Sequence, residues 1–133
     1  MNDPVIKFEN YQIEKINYCI LEEEDKTDYK MEFSGTIAVS DDEKSGKVTF
    51  DLMIPDKHEN RRIEVIITGY FSFRDDIETE KEKKQYLGVN GAAILFPYLR
   101  TVVSMITVLD KSEAIVFPTL NFAELMKQSN KDD

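Results

Sequence analysis

The stretch Ile94-Leu95-Phe96-Pro97-Tyr98-Leu99-Arg100-Thr101-Val102-Val103-Ser104-Met105-Ile106-Thr107-Val108-Leu109 carries more apolar surface than one packed helix face requires. At about 100° per residue, its polar members Arg100, Thr101, Ser104 and Thr107 gather within roughly 120° of arc, and apolar residues fill about 200°. An ordinary surface helix needs a stripe of roughly 100°. The wider band predicts two buried contacts, one on the chain's own sheet and one elsewhere. The simplest second surface is another copy of the chain, with Leu99, Val102, Val103 and Ile106 as candidate oligomer-interface residues. A C-terminal segment folded over the helix is the alternative. Pro97 bears on the start of the helix: its missing N–H is harmless in a first turn, so the helix is expected from about Ile94, and a start at Asn90 would force a kink. The same run approaches the length that spans a bilayer. Arg100 near its centre would cost about 2.5–3.5 kcal/mol there, so membrane insertion is not expected.

Upstream, the period changes from that of a helix to that of strands. Residues 29–39 place Met31, Phe33, Gly35, Ile37 and Val39 on one face, and residues 47–54 repeat the alternation with Val48, Phe50, Leu52 and Ile54. Residues 62–73 alternate Ile63, Val65, Ile67, Gly69, Phe71 and Phe73 against Glu64, Ile66, Thr68, Tyr70 and Ser72. Short charged links at 40–46 and 55–60 read as hairpin loops. Residues 11–21 read as a first strand whose apolar phase slips between Ile13 and Ile16, which predicts a bulge near Glu14 and Lys15. Charged residues 22–28 connect it onward, and residues 74–85 read as an exposed connector with a helical turn or two, Glu80 and Lys84 pairing at i,i+4. Asn121 is a reasonable N-cap for a last short helix over 122–127, and residues 1–10 and 128–133 are expected to be flexible. The expected fold is α+β, one domain over 1–133: a four-stranded antiparallel sheet followed by one long and one short C-terminal helix.

Composition excludes several function classes. A formal charge of -9, from 17 Lys+Arg against 26 Asp+Glu, repels phosphate backbones and anionic lipid, so nucleic acid is a poor partner. A lone Cys19 allows no intrachain disulfide or thiolate cluster, and a lone His58 allows no two-histidine metal site. The start of the chain carries no basic stretch followed by an apolar run, so the expected location is the cytoplasm. No nucleophile stands beside a candidate base, since His58 lies in a hairpin loop. Residues 87–91 lack the GxGxxG spacing and the Lys-Ser/Thr pair of a phosphate loop. No metal or cofactor is implied, and the chain reads as a binding protein rather than an enzyme.

Three motifs point further. Leu87-Gly88, then Ile94-Leu95-Phe96-Pro97-Tyr98-Leu99-Arg100, then Pro118-Thr119-Leu120-Asn121-Phe122, preceded by Gly69-Tyr70-Phe71-Ser72, resemble the C-terminal half of the SecB family of protein-export chaperones. The motifs span a little under half of the chain, and the family fold has the strand and helix order reached above from periodicity. The resemblance implies an ATP-independent holdase, a homotetramer built as a dimer of dimers with the long helices at its interface, that keeps preproteins unfolded for the SecA motor. Apolar and aromatic grooves would capture unfolded chains, with Phe71, Phe73, Tyr86, Phe96, Tyr98 and Phe117 as candidate client-binding residues and Met105 and Met126 as adaptable lining. Glu24 and Glu64 are the candidate positions for docking SecA. Some SecB-like chaperones instead protect an antitoxin, which makes a dedicated partner the alternative. A domain binding a small apolar ligand between sheet and helix is a third reading, from a different class.

Overall fold

The computed structural model describes residues 4–22 and 30–110. The expected short helix over 122–127, together with Glu24, Phe117 and Met126, lies outside the described residues. Four strands form an antiparallel sheet: β1 (Ile6–Ile20), β2 (Glu32–Val39), β3 (Ser45–Asp56) and β4 (Arg61–Phe73), in spatial order β1-β4-β3-β2. The chain returns across β4 to place β1 at one edge, and β2 is the other. The hairpin turns contain Glu43 and Asn60 in left-handed backbone, with φ of 60° and 54°.

The alternation read in the sequence is the alternation of burial. Val48, Phe50 and Leu52 of β3 and Ile63, Val65, Ile67 and Phe71 of β4 are all fully buried, and they pair across the two strands as Phe50 opposite Ile67 and Leu52 opposite Val65. β1 begins at Ile6 rather than Tyr11, so Ile6, Lys7, Phe8 and Asn10, in a stretch expected to be flexible, are paired with β4. It carries two register shifts, one skipping Glu9 and one skipping Glu14, the second where the apolar phase slips in the sequence. Both bulged glutamates turn to the outer face and accept hydrogen bonds from β4 hydroxyls: Ser72 to Glu9 at 2.7 Å and Thr68 to Glu14 at 2.8 Å.

The helical part starts earlier than expected. Residues 74–85 are mostly exposed and carry the expected helical turns: α1 (Glu80–Tyr86) is capped by the Thr79 side chain, which accepts from the Glu82 N–H, and Lys84 pairs with Glu80 at 3.3 Å. A π-helical turn, Leu87–Gly91, then joins α1 to α2 (Ala92–Thr107), with the Ala92 N–H reaching back to the Leu87 carbonyl. Pro97 therefore lies inside α2 rather than in a first turn. Gly88 and Gly91 obscure this continuity in the sequence, and the structure gives Gly91 a reason. A Cβ there would stand 3.1 Å from Val48 Cγ2 and 3.4 Å from Phe71 Cζ, so glycine lets the π turn lie directly on the sheet. Gly46 does the same from the other side, since its Cβ would meet Leu87 Cδ1 at 2.6 Å.

Leu95, Leu99, Val103 and Ile106 of α2 face the β3–β4 surface and complete the core. This revises the interface expectation, because Leu99, Val103 and Ile106 are at most 6% exposed against the protomer's own sheet. Phe71 and Phe96, expected in a groove, are core residues as well. The run Glu80–Thr107 has the length and composition to cross a membrane, but this same stripe is the one packed on the sheet. The close seating of helix on sheet makes a prediction. Gly46→Ala should lower stability by about 1–3 kcal/mol through overpacking against Leu87 and Phe73, read as a shifted urea midpoint with an unchanged slope.

Candidate functional site

The helical run meets β3 through its π turn and β4 and β1 through α2, and it leaves the edge strand β1 only partly covered. In β1, Tyr11 pairs with Gly69, Ile13 with Ile67 and Ile16 with Val65, so all three share the helix-facing side of the sheet with the core. Yet Tyr11, Ile13 and Ile16 are 42%, 41% and 48% exposed, where their partners Ile67 and Val65 are fully buried. Apolar side chains on the inner face of a sheet stand open here.

The adjacent wall of this opening is the second half of the apolar band of α2. Tyr98, Val102 and Met105 recur at intervals of four and three residues, within about 60° of arc and roughly 90° from the core stripe, and Leu109 follows just beyond the end of α2. Tyr98 and Val102 are half-buried, Met105 is 64% exposed and Leu109 75%. Aromatic contacts fix this wall to β1: the Tyr98 ring lies 4.4 Å from Tyr11 and 5.4 Å from Phe8, and Phe8 in turn lies 5.4 Å from the buried Phe71. The result is an apolar shelf between β1 and α2, anchored in the core at its Phe8 end.

At the other end stands a polar cluster around Arg61, whose side chain is 3% exposed. Its Nε donates to Asp56 Oδ2 at 2.8 Å and its Nη1 to the Thr107 carbonyl at 2.5 Å, at the C-terminal end of α2 where helix carbonyls lack partners. Burial alone disfavours the guanidinium charge, but bonds to the Tyr18 hydroxyl and Asp56 outweigh it and raise its pKa further. Tyr18 also donates to Asp110, just beyond the helix. One guanidinium thus joins β1, the β3–β4 hairpin and the end of α2.

The outer face of the sheet is polar. Glu64 pairs with Lys15 at 2.7 Å, and its side chain is 18% exposed. Arg62, Asp51, Glu32 and Met53 line a pocket around it. Burial pushes the Asp51 carboxyl up, nearby Glu64 and Glu32 add to this, and Lys15 opposes it. Among the described residues, no group of three or more His, Cys, Asp or Glu side chains could hold a metal ion. His58 is exposed in its turn, and Cys19 is half-buried on the outer face.

The structure therefore sorts the expected groove residues. Tyr98 and Met105 stand on the shelf. Phe73, half-buried under Lys83 at 5.6 Å, and Tyr86, beside Val89 and Asn90, belong to the α1 end of the molecule. Tyr11, Ile13 and Ile16 were not among the expected site residues. Their alternation marked them as strand residues, and only the strand order shows that this face lies at the margin of the helix, where it is only partly covered.

A family model described as preprotein translocase subunit SecB matches residues 7–133, nearly the whole chain. The chain belongs to the SecB family. SecB-family chaperones are not enzymes, consistent with a site built of apolar side chains rather than reactive groups. An uncharacterized protein of Methanocaldococcus jannaschii, MJ0357, is 25% identical over 127 residues, covering 91% of this chain and 82% of that one. Among solved structures, the Mycobacterium tuberculosis SecB-like chaperone Rv1957, in complex with a ChAD peptide from the Rv1956 HigA1 antitoxin, matches with a TM-score of 0.67 at 15% identity, over 86% of this chain and 90% of that one. A Streptococcus agalactiae protein of unknown function matches with a TM-score of 0.60 at 17% identity, over 86% of this chain and 97% of that one. These two show the SecB-like fold: the antiparallel sheet and its long helix.

The outer-face carboxylates yield a prediction with a definite sign. A carboxyl whose folded pKa is raised weakens the fold once pH exceeds its unfolded value, 3.8 for Asp51, and the penalty is complete above the raised folded value. Asp51→Asn should therefore stabilise the protein at neutral pH and have no such effect below pH 3.8, as compared by urea unfolding at the two conditions.

Proposed function

We propose that this SecB-family protein is an ATP-independent holdase of the cytosol that binds unfolded polypeptides on the β1–α2 shelf and keeps them from aggregating. The observation that carries this reading is the shelf itself: Tyr11, Ile13, Ile16, Tyr98 and Met105 offer contiguous apolar contacts along an edge strand, in a chain of net charge -9. Extended chains present alternate side chains to such a surface, and the acidic surroundings favour the cationic stretches of unfolded polypeptides. Two features support a homo-oligomer, and the family resemblance suggests a tetramer. The flank of α2 bearing Met105 is uncovered in one protomer, as is Leu109 just beyond the helix, and β1 ends the sheet.

The destination of the clients has two readings. The family description favours preproteins on their way to export, with SecA as the recipient. The antitoxin peptide in complex with the M. tuberculosis SecB-like chaperone favours a single dedicated partner. The outer face bears on the choice: Glu64, the described candidate for motor docking, is engaged by Lys15 and flanked by Arg62. A titration with purified SecA separates the two readings, because export requires measurable binding that Glu64→Lys abolishes.

Burying one large apolar side chain contributes about 1.5–3 kcal/mol, which is at least roughly tenfold in affinity. Ile16→Asp should accordingly weaken binding of an unfolded client by about tenfold or more, measured by fluorescence anisotropy. Light scattering on the same variant distinguishes loss of client grip from loss of assembly. Wild-type protein that is monomeric and does not slow aggregation of an unfolded client at stoichiometric ratios without ATP would refute the holdase reading.

A further inference from the structure

Arg61 is 2% exposed and stands on the helix-facing side of the first residue of β4, where its backbone pairs with Ile20 of β1 and Asp56 of β3. Desolvating a guanidinium costs free energy, and a well-packed apolar residue of similar volume often gives equal or greater stability. What the guanidinium adds is direction. Its Nε donates to Asp56 Oδ2 at 2.8 Å, and its Nη1 donates to the Thr107 carbonyl at 2.5 Å, just past Met105 on α2. The planar fork holds both acceptors in one geometry. Val103 and Ile106 also seat this end of α2, but through apolar contacts, which carry no orientation of their own. Near its start the helical wall of the shelf is pinned by rings, Tyr98 against Tyr11 and Phe8. Met105 lies about 10 Å further along the helix than Tyr98, at the end that Arg61 holds.

We propose that Arg61 is a positioning residue for the client surface: anchored on Asp56, it holds the Thr107 end of α2 and so fixes where the Met105 wall stands relative to Ile13 and Ile16 of β1. The proposal rests on the reading of the shelf as the surface that holds unfolded chains. A wall fixed in advance spares the client the free energy of ordering it, so the contact with Met105 is gained at full strength. Without the fork, the apolar seat of Val103 and Ile106 keeps α2 on the sheet, while the wall near Met105 samples several positions and grips less. The loss therefore falls on the Met105 end of the shelf, and the Tyr11 end keeps its own ring contacts.

A double-mutant cycle on the full-length protein tests this, read by fluorescence anisotropy as affinity for reduced carboxymethylated α-lactalbumin, an unfolded chain. Urea unfolding of each variant establishes that it is folded under the binding conditions. Met105→Ala should weaken binding by about 3- to 10-fold, the share of one apolar contact, and Arg61→Met by a comparable factor. The double variant should bind no more weakly than Met105→Ala alone, because the side chain that Arg61 places is gone. Combined with Tyr11→Ala, Arg61→Met should multiply the loss, since that contact is held independently. A general structural role for Arg61 would give the same behaviour in both pairs. Losses that multiply with Met105→Ala, wild-type affinity in folded Arg61→Met, or wild-type affinity in Met105→Ala would each overturn the positioning role. If Arg61→Met is unfolded, Arg61→Lys replaces it in the same cycle with the same criteria, because an ammonium keeps the charge beside Asp56 without the fork. Wild-type protein that does not bind the client would overturn the positioning role together with the holdase reading. Wild-type protein that binds while the cycle fails would overturn the positioning role alone.

Discussion

A single α-helix is too narrow for a four-stranded sheet. Strands spaced about 4.8 Å apart spread four strands over nearly 20 Å, whereas a helix with its side chains is about 10–12 Å across. Something on one side of the sheet must stay uncovered by α2, and the strand order decides that much of it is the inner face of β1. From that mismatch follow the exposed isoleucines, the aromatic contacts that pin Tyr98 to Tyr11 and Phe8, and the second apolar flank of the helix. The close seating at Gly46 and Gly91 sharpens the effect by drawing the helical run down onto β3 and β4.

The sequence was most readable where burial is decided by period alone. Strands β3 and β4 alternate because one face is core and the other is solvent, and even the bulge at Glu14 left a trace as a shift of apolar phase. Two kinds of information were not legible. The helical run was expected only from about Ile94, where Pro97 would fall in a first turn, whereas it continues back through Leu87–Gly91, and Gly91 permits close approach of a π turn to the sheet. The division of labour around α2 was also hidden. The apolar band is wider than the stripe that packs on the sheet, but nothing in one helix says which half meets its own sheet. Leu99, Val103 and Ile106 went to the core, and Met105 and Leu109 stand exposed.

The same logic explains the placement of charge. The acidic excess is visible on the outer face, where Glu9, Glu14, Asp51 and Glu64 stand among β4 hydroxyls, Lys15 and Arg62. Inside, Arg61 is tolerated because its Nε meets the Asp56 carboxylate and its Nη1 meets a carbonyl at the end of α2 that would otherwise lack an intrahelical partner. Charge on one face and apolar surface on the other let a small acidic chain stay soluble while exposing large side chains.

The two bulges in β1 bear on a hazard that comes with such exposure. An open edge flanked by Ile13 and Ile16 is a template on which other strands can stack, and an ordinary flat edge of that composition would seed fibres. Skipping Glu9 and Glu14 interrupts the ladder twice within one strand and sets a carboxylate at each interruption, tied to Ser72 or Thr68. A chain lying along this edge can stay in register for only a few residues before meeting a break. The edge therefore offers no long uninterrupted ladder, which lets apolar residues be displayed without one molecule's edge becoming the nucleus of a growing sheet.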